Sequence, residues 1–231
     1  MSLLEIKNLS KIYQKRIALN SITLNLVSGK VYGLLGPNGS GKTTLMKIIA
    51  NLMQPSSGEI LIDGKAPSIN SRNIVAYMPT INYLYKSMTL TQIGLFFSDF
   101  FNDFNMEDYF KLLEEMELPK TLKVSALSSG MSSKLRVATT MSRNAKIIML
   151  DEPLNGIDLI TRDCIIKTIV DNIKNNSTVI ISSHMVEQIE PILDEAILIN
   201  SGHIEFFGDV EVLREQQGLS VANKYREVFG S

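Results

Sequence analysis

Apolar residues along the chain follow two rhythms. Leu3–Asn8 and Ile22–Val27 alternate apolar with polar, the period-two pattern of half-buried strands. Val31–Leu35, Lys146–Leu150, Thr178–Ser182 and Ala196–Asn200 are short, mostly apolar runs, as in strands covered on both faces. Gly58–Asp63, closed by a turn at Asp63-Gly64, and Ile74–Met78 also read as strands. Helical spacing marks Leu45–Leu52 and Leu159–Lys174. From about Thr89 to Met141 it is the only signal, and it predicts helices over Leu90–Phe104, Met106–Leu118 and Ser129–Ser142. A hairpin-like piece, His203–Phe207, precedes a polar helical tail. Apolar strands separated by helices predict an α/β fold with a mainly parallel sheet. The early strands suggest an antiparallel edge, and the helical stretch reads as an insertion.

Composition narrows the class. The 231 residues are 45% hydrophobic and 20% charged, which excludes collagen-like, disordered and coiled-coil chains. Lys and Arg total 23 against 24 for Asp and Glu, so no strong field draws the protein to nucleic acid or anionic lipid. The single cysteine, Cys164, cannot form an internal disulfide and reads as a small buried hydrophobe in a reducing cytosol. No stretch reaches the roughly 18 consecutive apolar residues of a membrane span, and the N-terminus lacks the apolar core of a signal peptide. Any role at a membrane therefore needs a partner.

Gly36-Pro37-Asn38-Gly39-Ser40-Gly41-Lys42-Thr43-Thr44 matches GxxxxGK[ST], between a buried strand and a helix. Glycines let successive backbone N–H groups curl around phosphate oxygens, and the helix N-terminus adds partial positive charge. Lys42 reaches the β- and γ-phosphates, and the Thr43 hydroxyl is placed for Mg²⁺. The alternative is a glycine turn beside a surface lysine. The run Ile147–Leu150 delivers Asp151 and Glu152 to the C-terminal end of a strand, where open α/β sheets bind ligands. Asp151 suits Mg²⁺, directly or through water. Glu152 is left to face an attacking water, as base or as polariser. Read alone, the pair is an acidic strand end capping a helix. Ser182-Ser183-His184 follows a third buried strand, and His184 is placed to bond a γ-phosphate or to orient Glu152. His203 has no such setting.

With Leu127-Ser128-Ser129-Gly130-Met131, about 20 residues before Asp151, the chain resembles the nucleotide-binding subunit of an ABC transporter over essentially its whole length. The motif is similar to the LSGGQ signature, with Ser129 for the first Gly and Met131 for Gln. The resemblance implies a P-loop NTPase with a RecA-like core over residues 1–86 and 145–231, including an antiparallel β subdomain, and a helical subdomain over about 87–144. It makes Leu154–Asp158 the D-loop and His184 the switch histidine. It places Tyr13 against adenine, although a lone Tyr after a strand is equally a surface residue. It implies ATP with Mg²⁺, and hydrolysis to ADP and phosphate. It also implies a head-to-tail pair of nucleotide-binding domains, in which Ser128 and Gly130 act in trans on the triphosphate of the facing copy.

One position departs from the family pattern. Tyr77-Met78-Pro79-Thr80 carries Thr80 where the family has Gln, and a threonine is too short to serve the metal or the attacking water equally well. Asn82, or a water, are the substitutes considered. Five phenylalanines between Phe96 and Phe104 cannot share one helix face. They fill the helical core, or some line an apolar notch for a cytoplasmic helix of a membrane subunit. The style of this segment is similar to short ATPase subunits of bacterial peptide or antibiotic exporters. The expectation is an ATP-driven motor on the inner face of the cell membrane, held there by an integral membrane subunit, with no nucleic-acid partner. A soluble ABC-type ATPase acting on ribosome or DNA, or a kinase, are the other classes weighed. A single cassette without a long coiled coil argues against the first, and the signature motif against the second.

Overall fold

The computed structural model describes residues 2–173 and 177–230. Position 174, the last of the predicted helix Leu159–Lys174, lies outside them. In chain order the elements are β1 (Ser2–Tyr13), β2 (Arg16–Val27), β3 (Val31–Leu35), α1 (Lys42–Ile49), β4 (Ser57–Ile62), β5 (Val75–Met78), α2 (Leu90–Phe100), α3 (Met106–Glu115), α4 (Ser129–Met141), β6 (Ile147–Asp151), α5 (Leu159–Asp171), β7 (Thr178–Ser183), α6 (Val186–Ile189), β8 (Glu195–Asn200), β9 (His203–Asp209), α7 (Val210–Gln217) and α8 (Val221–Phe229).

The strands form two sheets. One is antiparallel, in the order β2-β1-β4. The other runs β5-β6-β7-β3-β8-β9, parallel except for β9, which pairs antiparallel with β8 across the Ser201-Gly202 turn. The early alternating strands thus build a sheet of their own. The β1 and β2 strands are longer than their alternation predicts, and Tyr13 pairs with Arg16 at the tip of their hairpin.

The apolar runs of the second sheet resolve into two faces. In β3, Tyr32 and Leu34 enter the core shared with α1 and the antiparallel sheet, while Val31 and Leu35 enter the core shared with the helical segment and α5. In β6, Ile147 and Met149 take the first face, and Ile148 and Leu150 the second. Successive side chains point to opposite faces, so a strand covered on both must be apolar throughout. The same alternation sends Asp151 to the α1 face, where the phosphate-type loop begins.

The segment between β5 and β6 holds α2, α3 and α4. Helix α2 stops at Phe100, short of the predicted Phe104. Contacts from Arg143, far along the chain, end it. The Arg143 guanidinium pairs with Asp103 at 2.8 Å and lies 3.8 Å over the Phe101 ring. Asn105 then caps α3, accepting from the N–H groups of Glu107 and Asp108. Phe104 turns into the core between them, and Phe97 and Phe101 pack against it, whereas Phe100 is 68% exposed. Among the described residues, no helix is long and apolar enough to cross a membrane.

Helices α2 and α3 meet at Gly94, where a Cβ would lie 2.5 Å from the ring of Tyr109. That ring is fully buried, and its hydroxyl donates to the Leu90 carbonyl at 2.8 Å, so it has no room to retreat. Gly94→Ala is expected to destabilise by about 1–2 kcal/mol, the overpacking cost outweighing the gain in helix propensity. A lowered urea midpoint at unchanged slope checks this.

Candidate functional site

The parallel strands bring three loops to one edge. The first leaves β3 at Gly36 and enters α1 at Lys42. Gly41 precedes that helix with φ of 116°, and a Cβ there would meet the Ala18 carbonyl at 2.7 Å. Left-handed backbone and close approach together demand glycine. No side chain caps α1, and its first turn carries no acidic residue. Its free N–H groups are therefore available to an anion. Lys42 is 5% exposed. Its ammonium lies 2.7 Å from the Gly36 carbonyl, 3.1 Å from that of Pro37 and 3.4 Å from Glu152 Oε1. Burial pulls its pKa down, and the Glu152 carboxylate opposes that shift.

Asp151 has no exposed surface. Three hydroxyls donate to it: Ser182 at 2.6 Å, Tyr77 at 3.1 Å and Thr43 at 3.2 Å. The sheet explains this convergence. Ser182 is the in-register partner of Asp151 on β7, and Tyr77 lies on the same face of β5. Burial, then the neighbouring carboxylate, hold the Tyr77 phenol well above its ordinary pKa, so it stays a donor. Asp151 and Thr43 place a carboxylate and a hydroxyl side by side. With substrate phosphates, that oxygen donor set fits Mg²⁺.

Glu152 sits at φ of 51°, a strained conformation for a residue with a side chain. Its N–H donates to Ser182 Oγ at 2.9 Å, and Oε2 meets His184 Nδ1 at 2.8 Å. Oε1 is buried with no hydrogen-bond partner among the described residues. The turn swings Glu152 away from Asp151 and into an open cleft of about 550 Å³, which it lines with Tyr13, Arg16, Asn38, Gly39, Gly41, Lys42, Thr43, Thr44 and Thr80. A cation, helix amides and a carboxylate whose buried Oε1 is ion-paired to Lys42 without a hydrogen bond suit a polyphosphate and a water attacking it.

The other predicted residues fall at different distances from this cleft. Gly36, Pro37 and Ser40 build the loop without lining it, and the buried Ser40 hydroxyl has no hydrogen-bond partner among the described residues. His184 does not line the cleft but contacts Glu152, which does. Tyr13, 40% exposed, offers its ring at the rim, with Lys11 5.4 Å from the ring centroid. Ser128 and Gly130 are outside the cleft: Ser128 caps α4, accepting from Met131 N–H, and Gly130 packs on Thr161. Asn82, considered as a substitute for glutamine, bonds Ser132 at 3.1 Å and does not line the cleft. Sequence reasoning missed the roles of Ser182, Tyr77 and Arg16. The first two are recoverable only once strand register is known.

The sequence profile of the family described as ABC transporter matches residues 19–155. The lantibiotic transport ATP-binding protein SrtF of Streptococcus pyogenes is 32% identical over 213 residues, which span 87% of this chain and 89% of that protein. A solved structure of the ATP-binding subunit of an ABC transporter superposes with a TM-score of 0.86 at 25% identity, covering 98% of this chain and 99% of that one. A dimeric, post-hydrolysis ATP-binding cassette bound to ADP and Pi shares the fold, with a TM-score of 0.79 at 22% identity over 89% of this chain and 98% of that one.

Because Ser182 supports both carboxylate residues, Ser182→Ala is expected to lower kcat for ATP hydrolysis about tenfold. The circular dichroism spectrum should not change. Steady-state kinetics check this.

Proposed function

The chain belongs to the ABC transporter family and is an ATP-binding ATPase; on that premise we propose that it is the motor subunit of an exporter, working as an ATP-sandwich dimer on a separate membrane subunit. The observation behind the ATP-hydrolysing core of this reading is the meeting of Lys42, Glu152 and His184, at 3.4 and 2.8 Å, beside an uncapped helix N-terminus. In this reading the backbone N–H groups between Asn38 and Thr44 and the Lys42 ammonium hold the β- and γ-phosphates. Thr43 and Asp151 hold Mg²⁺, which when bound neutralises charge on the phosphate oxygens. Glu152 orients the attacking water and takes its proton, and His184 fixes the carboxylate that does so. The water oxygen bonds to the γ-phosphorus as the bond to the bridging oxygen breaks, leaving ADP and phosphate. Tyr13 stacks on adenine.

The exposed Ser128 cap, with Gly130 behind it, is the surface offered in trans to the triphosphate of a second copy or a sibling subunit. The dimeric cassette of the same fold supports that arrangement. Residues 87–144 act as the helical unit that presents it, against a core of 1–86 and 145–231. A second cleft, of about 570 Å³, opens between this unit and the core, with Leu52, Ile69, Phe97, Phe100, Phe101 and Arg143 in its wall. Ile69 is 76% exposed and Leu52 60%, which suits an apolar cytoplasmic helix of the membrane subunit. The protein then sits on the cytoplasmic face of the membrane. The likeness to a lantibiotic transport ATP-binding protein supports a peptide-class cargo.

Two variants test the reading. Glu152→Gln is expected to cut hydrolysis by at least about a hundredfold while retaining ATP, so that size exclusion with Mg²⁺ and ATP shows a dimer. A monomer peak in ATP contradicts the sandwich. Lys42→Ala is expected to weaken ATP binding by at least about tenfold, read by calorimetric titration.

A further inference from the structure

We propose that Arg136, a buried residue of the signature helix α4, is the positioning residue that ties this helix to the cleft-lining segment at Thr80, in place of a long side chain at position 80. The inference deepens the ATP-site reading above and rests on it.

Arg136 is only 8% exposed. One guanidinium nitrogen donates to the Pro79 carbonyl at 2.6 Å, while Nε is buried without a hydrogen-bond partner. No carboxylate forms an ion pair with it among the described residues. Burial disfavours its charge, and Tyr83, Asp151 and Tyr77 act the other way. A guanidinium buried with one neutral partner is a poor choice for packing alone. It gains a rationale from its address. Ahead of it lies the carbonyl whose peptide carries Thr80 into the cleft, and its charge acts on the Tyr77–Asp151 pair.

Helix α4 connects this point to the exposed signature turn. Ser128 caps its exposed end, and Arg136 follows eight residues later, about 12 Å along the axis. The segment after β5 is bonded to α4 a second time, through Asn82 and Ser132 at 3.1 Å. Two ties from one rigid helix make the 79–82 segment move with it. When a facing copy seats its triphosphate on Ser128 and Gly130, the displacement of α4 reaches Thr80 through Arg136. Thr80 itself is too short to span from loop to reacting phosphate. The strut therefore comes from the helix side.

The test compares Arg136→Met, Arg136→Lys, Thr80→Gln and the Arg136→Met/Thr80→Gln double variant. Arg136→Met is expected to lower kcat for ATP hydrolysis about tenfold, with KM and calorimetric ATP affinity within about threefold of wild type. Arg136→Lys should restore part of the rate. Thr80→Gln should raise the rate of the Arg136→Met protein at least about threefold, and change the wild-type rate less, because the two substitutions act on one linkage. A lower melting temperature with unchanged kcat per folded molecule, or strictly additive effects, overturns the proposal. Should Arg136→Met fail to fold, the Arg136→Lys and Arg136→Lys/Thr80→Gln pair carries the same comparison. Wild-type protein that binds no ATP would sink the nucleotide reading, whereas normal binding with additive variants sinks only the role of Arg136.

Discussion

A carboxylate with no exposed surface must be matched by donors, and Asp151 organises the site on that account. Its three donors come from three places: Ser182 on the next strand, Tyr77 on the strand beyond β6 on the other side, and Thr43 from the loop–helix junction. Each hydroxyl fixes the position of its own element relative to β6. The same Ser182 hydroxyl accepts from the Glu152 N–H, so the residue that anchors Asp151 also supports the strained turn at Glu152. That turn separates two adjacent carboxylates. One stays on the α1 face with the hydroxyls, and the other reaches Lys42 and His184. Without it, strand alternation would send Glu152 to the opposite face, into the second core.

Much of this was legible in the residues because it follows from local patterns. The phosphate-type loop has a fixed spacing and depends on glycine, and the apolar runs of β3, β6 and β7 follow from burial on both faces. The separate antiparallel sheet was less legible, since alternation indicates a half-covered strand without naming its neighbour. The length of β1 and β2 was hidden for a related reason: their distal halves, with Ile12, Tyr13 and Ile17 exposed, carry no clean period. Helix α2 read four residues too long because its end is set by Arg143, 40 positions from Asp103. Ser182 and Tyr77 are the instructive misses. Each stood inside a quoted motif, yet only the register of β5, β6 and β7 aligns them with Asp151.

The departures from the family pattern are physically connected. Thr80 for glutamine, Ser129 for glycine and Met131 for glutamine all fall on the path between the start of α4 and the cleft. Ser129 is exposed at the first turn of the helix, where a hydroxyl is tolerated, and Gly130 keeps the small size that contact with Thr161 requires. Met131 supplies the N–H that Ser128 accepts, a role open to any residue but proline. The signature turn thus keeps its cap and its close packing despite two substitutions. Thr80 differs in kind, because a long side chain bridging loop and phosphate cannot be replaced by backbone.

The burial of Arg136 gives that difference its significance. A chain that lost a bridging side chain at position 80 and gained nothing would leave α4 coupled to the cleft only through Asn82 and Ser132, an exposed neutral pair worth little against solvent. A charged donor on the Pro79 carbonyl is stronger, and its low exposure protects it from competition by water. A shift of α4 that moved Arg136 would alter both the geometry of Thr80 and the field at the proposed metal-binding carboxylate. In the proposed sandwich, binding of the second copy and readiness for hydrolysis would then be coupled through one side chain.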